Sequence, residues 1–262
     1  MEKVIPTFFT ALDIISSHFN EHPVLNIALI SSALIFPFAL RNYLEFLKLR
    51  PDFGLANPLI YFLSLTLRLA CREPRTTNEY DAPNEVSGSW LCVDLPCRSG
   101  TRPEIGWFPA PHRQVNQFAP THMDKDQIFA LLSNLAVSYP DTLEIRRSRH
   151  ELHTDALFVS RRVLEVASAS PKNFGACVAA YGEVAHVHDG FDFSLHVVLA
   201  PQDCKTVIQK GWGERHPCAG RLKGLPKEYL LIYVPRDTEE LKVVSRIVAA
   251  AANFMSGQTP SQ

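Results

Sequence analysis

From Glu183 to Leu199, apolar and polar residues alternate on either side of an Asp-Gly pair, Asp189-Gly190, the signature of an antiparallel hairpin. Loop length decides which residues share a face, because a one-residue slip exchanges the two faces. A two-residue loop at Asp189-Gly190 sets His186 and His188 opposite Phe193 and Phe191 and leaves His196 on the other side. A three-residue loop, Asp189 to Phe191, pairs His188 with Asp192 and His186 with Ser194. His196 then joins them, while Ala185, Val187, Phe193, Leu195 and Val197 line the reverse. Only the second register separates polar from apolar residues, so it is the expected one. One face of the hairpin then gathers imidazoles, a carboxylate and a hydroxyl.

Downstream, Pro201–Lys210 has the spacing of a short helix, with apolar Val207 and Ile208, ended by Gly211. The loop Gly211-Trp212-Gly213-Glu214-Arg215-His216-Pro217 follows. Its glycines permit unusual backbone angles, its indole offers an aromatic wall, and Arg215 and His216 are polar handles. Upstream, Trp90–Asp94 and Glu104–Phe108 read as short strands around the RSGTRP turn. Asp124–Tyr139 has helical spacing at Ile128, Leu131, Leu132 and Leu135 and is stopped by Pro140. Leu143–His150 and Ala156–Ser160 read as strands with His153 between them, and Tyr229–Val234 as a buried strand. Thr238–Met255 closes as a helix with Leu241, Val244, Ile247, Val248 and Ala251 on one face. Helices among hairpin-linked strands make the expected class α+β, a mainly antiparallel sheet with flanking helices.

Composition narrows the function classes. The 26 basic and 27 acidic residues balance, which argues against a nucleic-acid surface. Six cysteines, Cys71, Cys92, Cys97, Cys177, Cys204 and Cys218, lack CxxC or zinc spacing and are expected to be reduced thiols.

Val24–Leu40 carries no charge. As a helix these residues span roughly 25 Å, near the ~27 Å core of an endoplasmic-reticulum bilayer, and extension through Tyr43 closes the gap. An N-terminal transmembrane helix over about residues 24–43 is therefore expected, with Pro37 tolerated inside it. Arg41, Lys48, Arg50, Arg68, Arg72 and Arg75 all follow the run, so the positive-inside rule leaves the C-terminal part in the cytoplasm. Pro58–Ala70 is apolar but too short to span, and Ile5–Phe19 is amphipathic; both suit a membrane surface. The expected organisation is an anchor over 1–50, an interfacial segment and linker over 51–89, a catalytic domain over 90–257 and a disordered tail over 258–262.

Three readings fit the histidines. An HxH strand with a third histidine is a way to hold iron, manganese or zinc. Imidazole also suits acid–base chemistry, oriented by Asp189 or Asp192. Strand histidines can also simply bond to the backbone.

The segments AHVHD, SLH, QD, KGWGERHP and AG resemble the fungal luciferase family, the enzymes of bioluminescent mushrooms and their non-luminous relatives. The resemblance runs on through LIYVPRDTEE to FMSG, and back to WLCVDLPCRSGTRPEI and the FP and YLEFL pattern. It implies an oxygenase that takes 3-hydroxyhispidin, a hydroxy-pyrone luciferin, and molecular oxygen, with no metal and no organic cofactor. A peroxide intermediate then loses carbon dioxide and leaves an excited caffeylpyruvate-type product. Its partners would be luciferin, oxygen and membrane lipid. In that chemistry His186 or His188 removes the enolic proton, Asp189 or Asp192 orients it, and His196 or His216 with Arg215 stabilises the developing oxyanions. Trp212, Phe191 and Tyr233 would wall the pocket beside Gly211, Gly213 and Ser194, and His153, in an ELH that also resembles the family, would complete it. Cys218 and Cys204 depart from the family pattern, which carries a larger aliphatic and a small residue there.

Overall fold

A computed structural model describes residues 17, 21–49, 57–81, 88–91, 94–121, 125–170, 174–190 and 192–258. Phe191, the Ile5–Phe19 segment apart from Ser17, and the tail beyond Gln258 lie outside them. The chain divides into two compact units, up to Lys48 and from Leu49.

The first unit contributes α1, Pro23–Lys48, which runs through Pro37 and is long and apolar enough to cross a membrane. Its side chains Leu29, Leu34, Phe36 and Phe38 are exposed.

The second unit is an α+β fold. Six strands, β1 Leu143–Arg147, β2 Asp155–Val159, β3 Glu183–Val187, β4 Leu195–Val198, β5 Gly213–Arg215 and β6 Tyr229–Ile232, form one sheet. Their order is β1-β2-β3-β4-β6-β5, antiparallel throughout. The helices are α2 Pro58–Leu67, α3 Asp126–Ser138, α4 Arg161–Ala169, α5 Gly175–Ala179, α6 Pro201–Gln209 and α7 Thr238–Met255.

Alternation divides the sheet's work. Ala185, Val187, Leu195, Val197, Leu230 and Ile232 form a buried apolar face with Ile128 and Leu132 of α3 and Val244, Ile247 and Val248 of α7. Each of its valine, leucine and isoleucine side chains contributes about 1.5–3 kcal/mol by leaving water. Helix α7 begins where the Asp237 side chain accepts the Glu240 amide at 2.8 Å, an N-cap that satisfies an orphan donor. The opposite face of the sheet is left for the histidines.

The hairpin register differs from expectation by two residues. His186 pairs with His196, and the His188 amide donates to the Ser194 carbonyl at 2.9 Å, so the connection is residues 189–193. Asp192 is drawn out of the ladder by the Gln114 amide at 3.0 Å and the Arg113 guanidinium at 3.3 Å, and Phe193 takes a left-handed φ of 51°. A shift of two leaves every side chain on the face it had. The polar cluster therefore survives the longer loop.

Other local readings change. The described residues around Trp90–Asp94 and Glu104–Phe108 form no regular strand; a single bridge joins Ile105 to Gln114. Pro96, Pro103, Pro109 and Pro111 remove ladder donors from this stretch. Gly213–Arg215, read as loop, is an edge strand, and α4, opened by Ser160 accepting from the Val163 amide, has no counterpart in the sequence reading. Residues 71–81 run along the domain: Arg72 donates its amide to Pro217, Arg215 its amide to Pro74, and the Tyr80 hydroxyl bonds the Lys227 carbonyl at 2.9 Å.

Candidate active site

Strand β3 delivers His186 and His188 two residues apart, and β4 brings His196 opposite His186 with the rings 5.3 Å apart. On β6, Tyr229 lies beside β4 and stacks on His196 at 4.6 Å and 15°. The chain leaving β5 places His216 where its amide bonds the Tyr229 carbonyl at 3.0 Å. These residues floor a cavity of about 290 Å³.

His186 is held by a carboxylate. Its Nδ1 lies 2.8 Å from Glu183 Oε1. A carboxylate only accepts, so Nδ1 carries the proton and Nε2, which has no hydrogen-bond partner among the described residues, keeps its lone pair. Glu183 also accepts from the Ser148 hydroxyl and the Arg149 amide, each at 2.8 Å. The Ser148 oxygen in turn accepts from the His150 and Glu151 amides at 3.1 Å. One buried carboxylate thus fixes both the floor histidine and the turn that brings His150 and Glu151 into the wall.

His188 is held by a relay. Its Nδ1 is 2.9 Å from Ser194 Oγ and 3.3 Å from Asp192, and the Ser194 hydroxyl donates to Asp192. Asp192 is tied to Arg113, whose other nitrogen reaches Glu151 at 2.8 Å. Arg113 and His112 come from residues 105–114, closed by the Ile105–Gln114 bridge and by Gln114 accepting the Val234 amide at 3.2 Å.

Burial and neighbouring histidines hold His196 and His112 well below the ordinary imidazole pKa. Burial, with other histidines nearby, lowers His216 to about 3 and His150 to about 4. All four are neutral at physiological pH. Burial alone would raise Glu183, Asp192 and Glu151; the histidines, with Arg113 for the latter two, outweigh it and hold all three below the ordinary carboxylate range. The cavity therefore combines ionised carboxylates behind its histidines with a wall of neutral imidazoles.

Helix α2 closes the top. Asn57 caps it by accepting the Leu59 amide at 2.7 Å, and Ile60, Leu63 and Leu67 line the cavity with Leu222, Leu225 and Pro109–Pro111. Tyr61 packs on Phe108 at 6.0 Å. Where α2 ends, Cys71 Sγ lies 3.7 Å from Cys218 Sγ, and the five described cysteines are free thiols.

Of the residues expected from sequence, His186, His188, His196, His216 and His153 line the cavity, and Ser194 and Asp192 stand behind His188. Asp189 is exposed, its carboxylate accepting the Gly190 amide and its carbonyl bonding Arg113. Arg215 points away from the cavity: it is buried against Glu79 and the Thr76 and Glu73 carbonyls, pinning residues 73–79. Trp212 sits in the core with Nε1 donating to the Pro96 carbonyl at 2.6 Å, and Tyr233 bonds Glu214 at 3.0 Å. Neither lines the cavity among the described residues. The glycines serve the strand: Gly211 has φ +82°, and a Cβ on Gly213 would lie 2.3 Å from the Leu231 carbonyl.

His112, Arg113, His150, Glu151 and Tyr229 also line the cavity, beyond the residues expected from sequence. His150 and Glu151 adjoin His153, so that stretch carried a signal. Nothing local marks His112–Arg113, which lie among prolines.

Among the described residues, two histidine trios place ligand atoms within 4.8 Å of one another, His186/His188/His196 and His112/His196/His216. In the second, His216 Nδ1 already accepts the Cys218 amide at 3.1 Å and the ring also bonds the Pro109 backbone. The first trio directs free lone pairs at one point only if His196, whose Nδ1 faces the Leu230 carbonyl at 3.1 Å, offers Nε2.

Residues 181–251, which carry most of the floor, match a family model described as a luciferase domain. A luciferase of Armillaria gallica is 35% identical over 232 residues, covering 87% of this chain and 85% of that protein. A luciferase of Neonothopanus nambi is 32% identical over 228 residues, with the same coverage. No solved structure matches the chain.

Proposed function

Because the chain belongs to the fungal luciferase family, we propose that it adds molecular oxygen to 3-hydroxyhispidin and releases carbon dioxide and an excited caffeylpyruvate-type product. The observation that carries this reading is His186: a buried imidazole with Nδ1–H on a carboxylate and an Nε2 on the cavity that is unpartnered among the described residues. Triplet oxygen reacts poorly with closed-shell molecules, so the substrate must first become an electron-rich enolate. His186 Nε2 takes the enolic proton, and Glu183 stabilises the imidazolium, the role a carboxylate plays behind a catalytic histidine elsewhere. The enolate gives electrons to oxygen, a carbon–oxygen bond forms, and ring closure to a peroxide precedes loss of carbon dioxide. Arg113, in the wall, is tied to Asp192 and Glu151 and holds the His188 relay in place, while Arg215 is turned outward. The aliphatic roof and the neutral imidazoles keep water from the peroxide.

No metal or organic cofactor takes part in this reading, and α1 anchors the protein in the endoplasmic-reticulum membrane with the catalytic domain in the cytoplasm. The His186/His188/His196 trio supports a second reading, a divalent metal bound on the same floor. One experiment separates them. Chelator-treated, detergent-solubilised protein is mixed with 3-hydroxyhispidin in air while photons, oxygen uptake and product mass are recorded. Light with loss of carbon dioxide is the expected result. Uptake without light means a dark oxygenase of the family. No uptake until iron or manganese is restored means the metal reading.

A further inference from the structure

Helix α2 has two apolar faces. Inward, Tyr61 is buried and Ile60, Leu63 and Leu67 line the cavity. Outward, Leu59 is 73% exposed, Phe62 59% and, just past the helix, Leu69 89%. Trp107, half exposed, adjoins this face: the Arg68 guanidinium lies 4.1 Å above its ring and donates to its carbonyl at 2.8 Å. Contiguous large apolar side chains in water mark an interaction surface. A tryptophan and an arginine at its rim are the side chains that settle at headgroup depth.

We propose that this face rests on a lipid bilayer and that the cavity opens there, so that flat aromatic substrates dissolved in the membrane enter between α2 and the neighbouring loops. Leu63 joins the two halves of the argument, being both half exposed and part of the cavity wall. The sequence ties the face to a membrane: nine residues, 49–57, separate α2 from a helix long and apolar enough to span. Nine residues reach at most about 30 Å. Arg68 follows α2 directly, at the rim beside Trp107, and complements an anionic leaflet. Docking stands apart from the reaction proposed above; the entry route rests on that reading of the cavity.

The full chain is reconstituted into phosphatidylcholine and phosphatidylserine vesicles whose acyl chains carry bromine, a contact quencher of indole. Trp90 and Trp212 are buried, so Trp107 supplies the accessible emission. Quenching that disappears in Trp107→Phe is expected; equal quenching in both proteins, or none, overturns docking. Leu59→Asp/Leu69→Asp keeps the N-terminal helix and alters only exposed side chains, with Leu69→Asp alone as the milder variant. It should abolish Trp107 quenching and raise KM for vesicle-partitioned luciferin about tenfold at unchanged kcat. Quenching that persists overturns docking through this face. An unchanged KM overturns the entry route. An unquenched Trp107 in a chain that cross-links as a dimer assigns the face to a second copy and overturns the proposal.

Discussion

His186 Nδ1 and Glu183 Oε1 lie 2.8 Å apart on the same strand, and this contact fixes which nitrogen of His186 faces the cavity. A neutral amide at position 183 accepts or donates with equal ease and releases the tautomer. Glu183→Gln should lower kcat/KM about 10²- to 10⁴-fold and also lower stability, because its amide nitrogen then faces donors that the carboxylate accepted. His186→Gln should lower kcat/KM as far, and the double variant little more than either alone. Steady-state light output together with circular dichroism checks this; activity within threefold of wild type in both single variants moves the base elsewhere.

Arg215 is a structural cation. Its guanidinium is buried between Glu79 and the carbonyls of Thr76 and Glu73, away from the cavity. Arg215→Ala leaves the Thr76 and Glu73 carbonyls without this donor and Glu79 with Arg72 as its remaining cation, and should cost about 3 kcal/mol of stability. The folded fraction should keep its kcat. Denaturant midpoints and turnover measured on one preparation separate this from a catalytic role, for which kcat would fall at little cost in stability.

Gly213 sets the distance between β5 and β6. An alanine Cβ would meet the Leu231 carbonyl at 2.3 Å, a backbone atom that cannot swing aside. Gly213→Ala should destabilise by about 1–3 kcal/mol and displace His216, which follows three residues later. The expected readout is a lower melting temperature together with a raised KM.

Acid should unfold this protein earlier than its carboxylates alone would. His216 titrates at about 3 and His150 at about 4 in the folded state, because burial penalises the charged form. The unfolded chain takes these protons near pH 6.5, so the penalty is absent above that value. It grows by about 1.4 kcal/mol per pH unit for each histidine as pH falls, until the folded value is reached. Glu183, Asp192 and Glu151, held low, add stability above the ordinary carboxylate range and lose it as pH falls through their lowered values. Urea midpoints should therefore fall between pH 6.5 and 5, and His216→Asn should flatten that slope. A midpoint constant down to pH 5 contradicts the neutral wall.

Local repetition along the chain was legible before any tertiary contact was known. Alternation put His186, His188, Ser194 and His196 on one face, and a hairpin register displaced by two residues left them there. The boundaries of Pro201–Gln209 and Thr238–Met255 followed from helical spacing and end signals. Tertiary structure decided which distant segments meet that face. It brought His112 and Arg113 from a proline-rich loop, His150 and Glu151 from a turn tied to Glu183, and an apolar helix from residues 58–67 as the roof. It also turned Trp212 and Arg215 away: Trp212, just before the strand, packs in the core with its indole on the Pro96 carbonyl, and Arg215 meets Glu79 and the carbonyls of Thr76 and Glu73. Periodicity is a property of neighbours along the chain. A cavity forms from residues far apart in sequence, whose approach is set by how the helices and loops pack on the sheet.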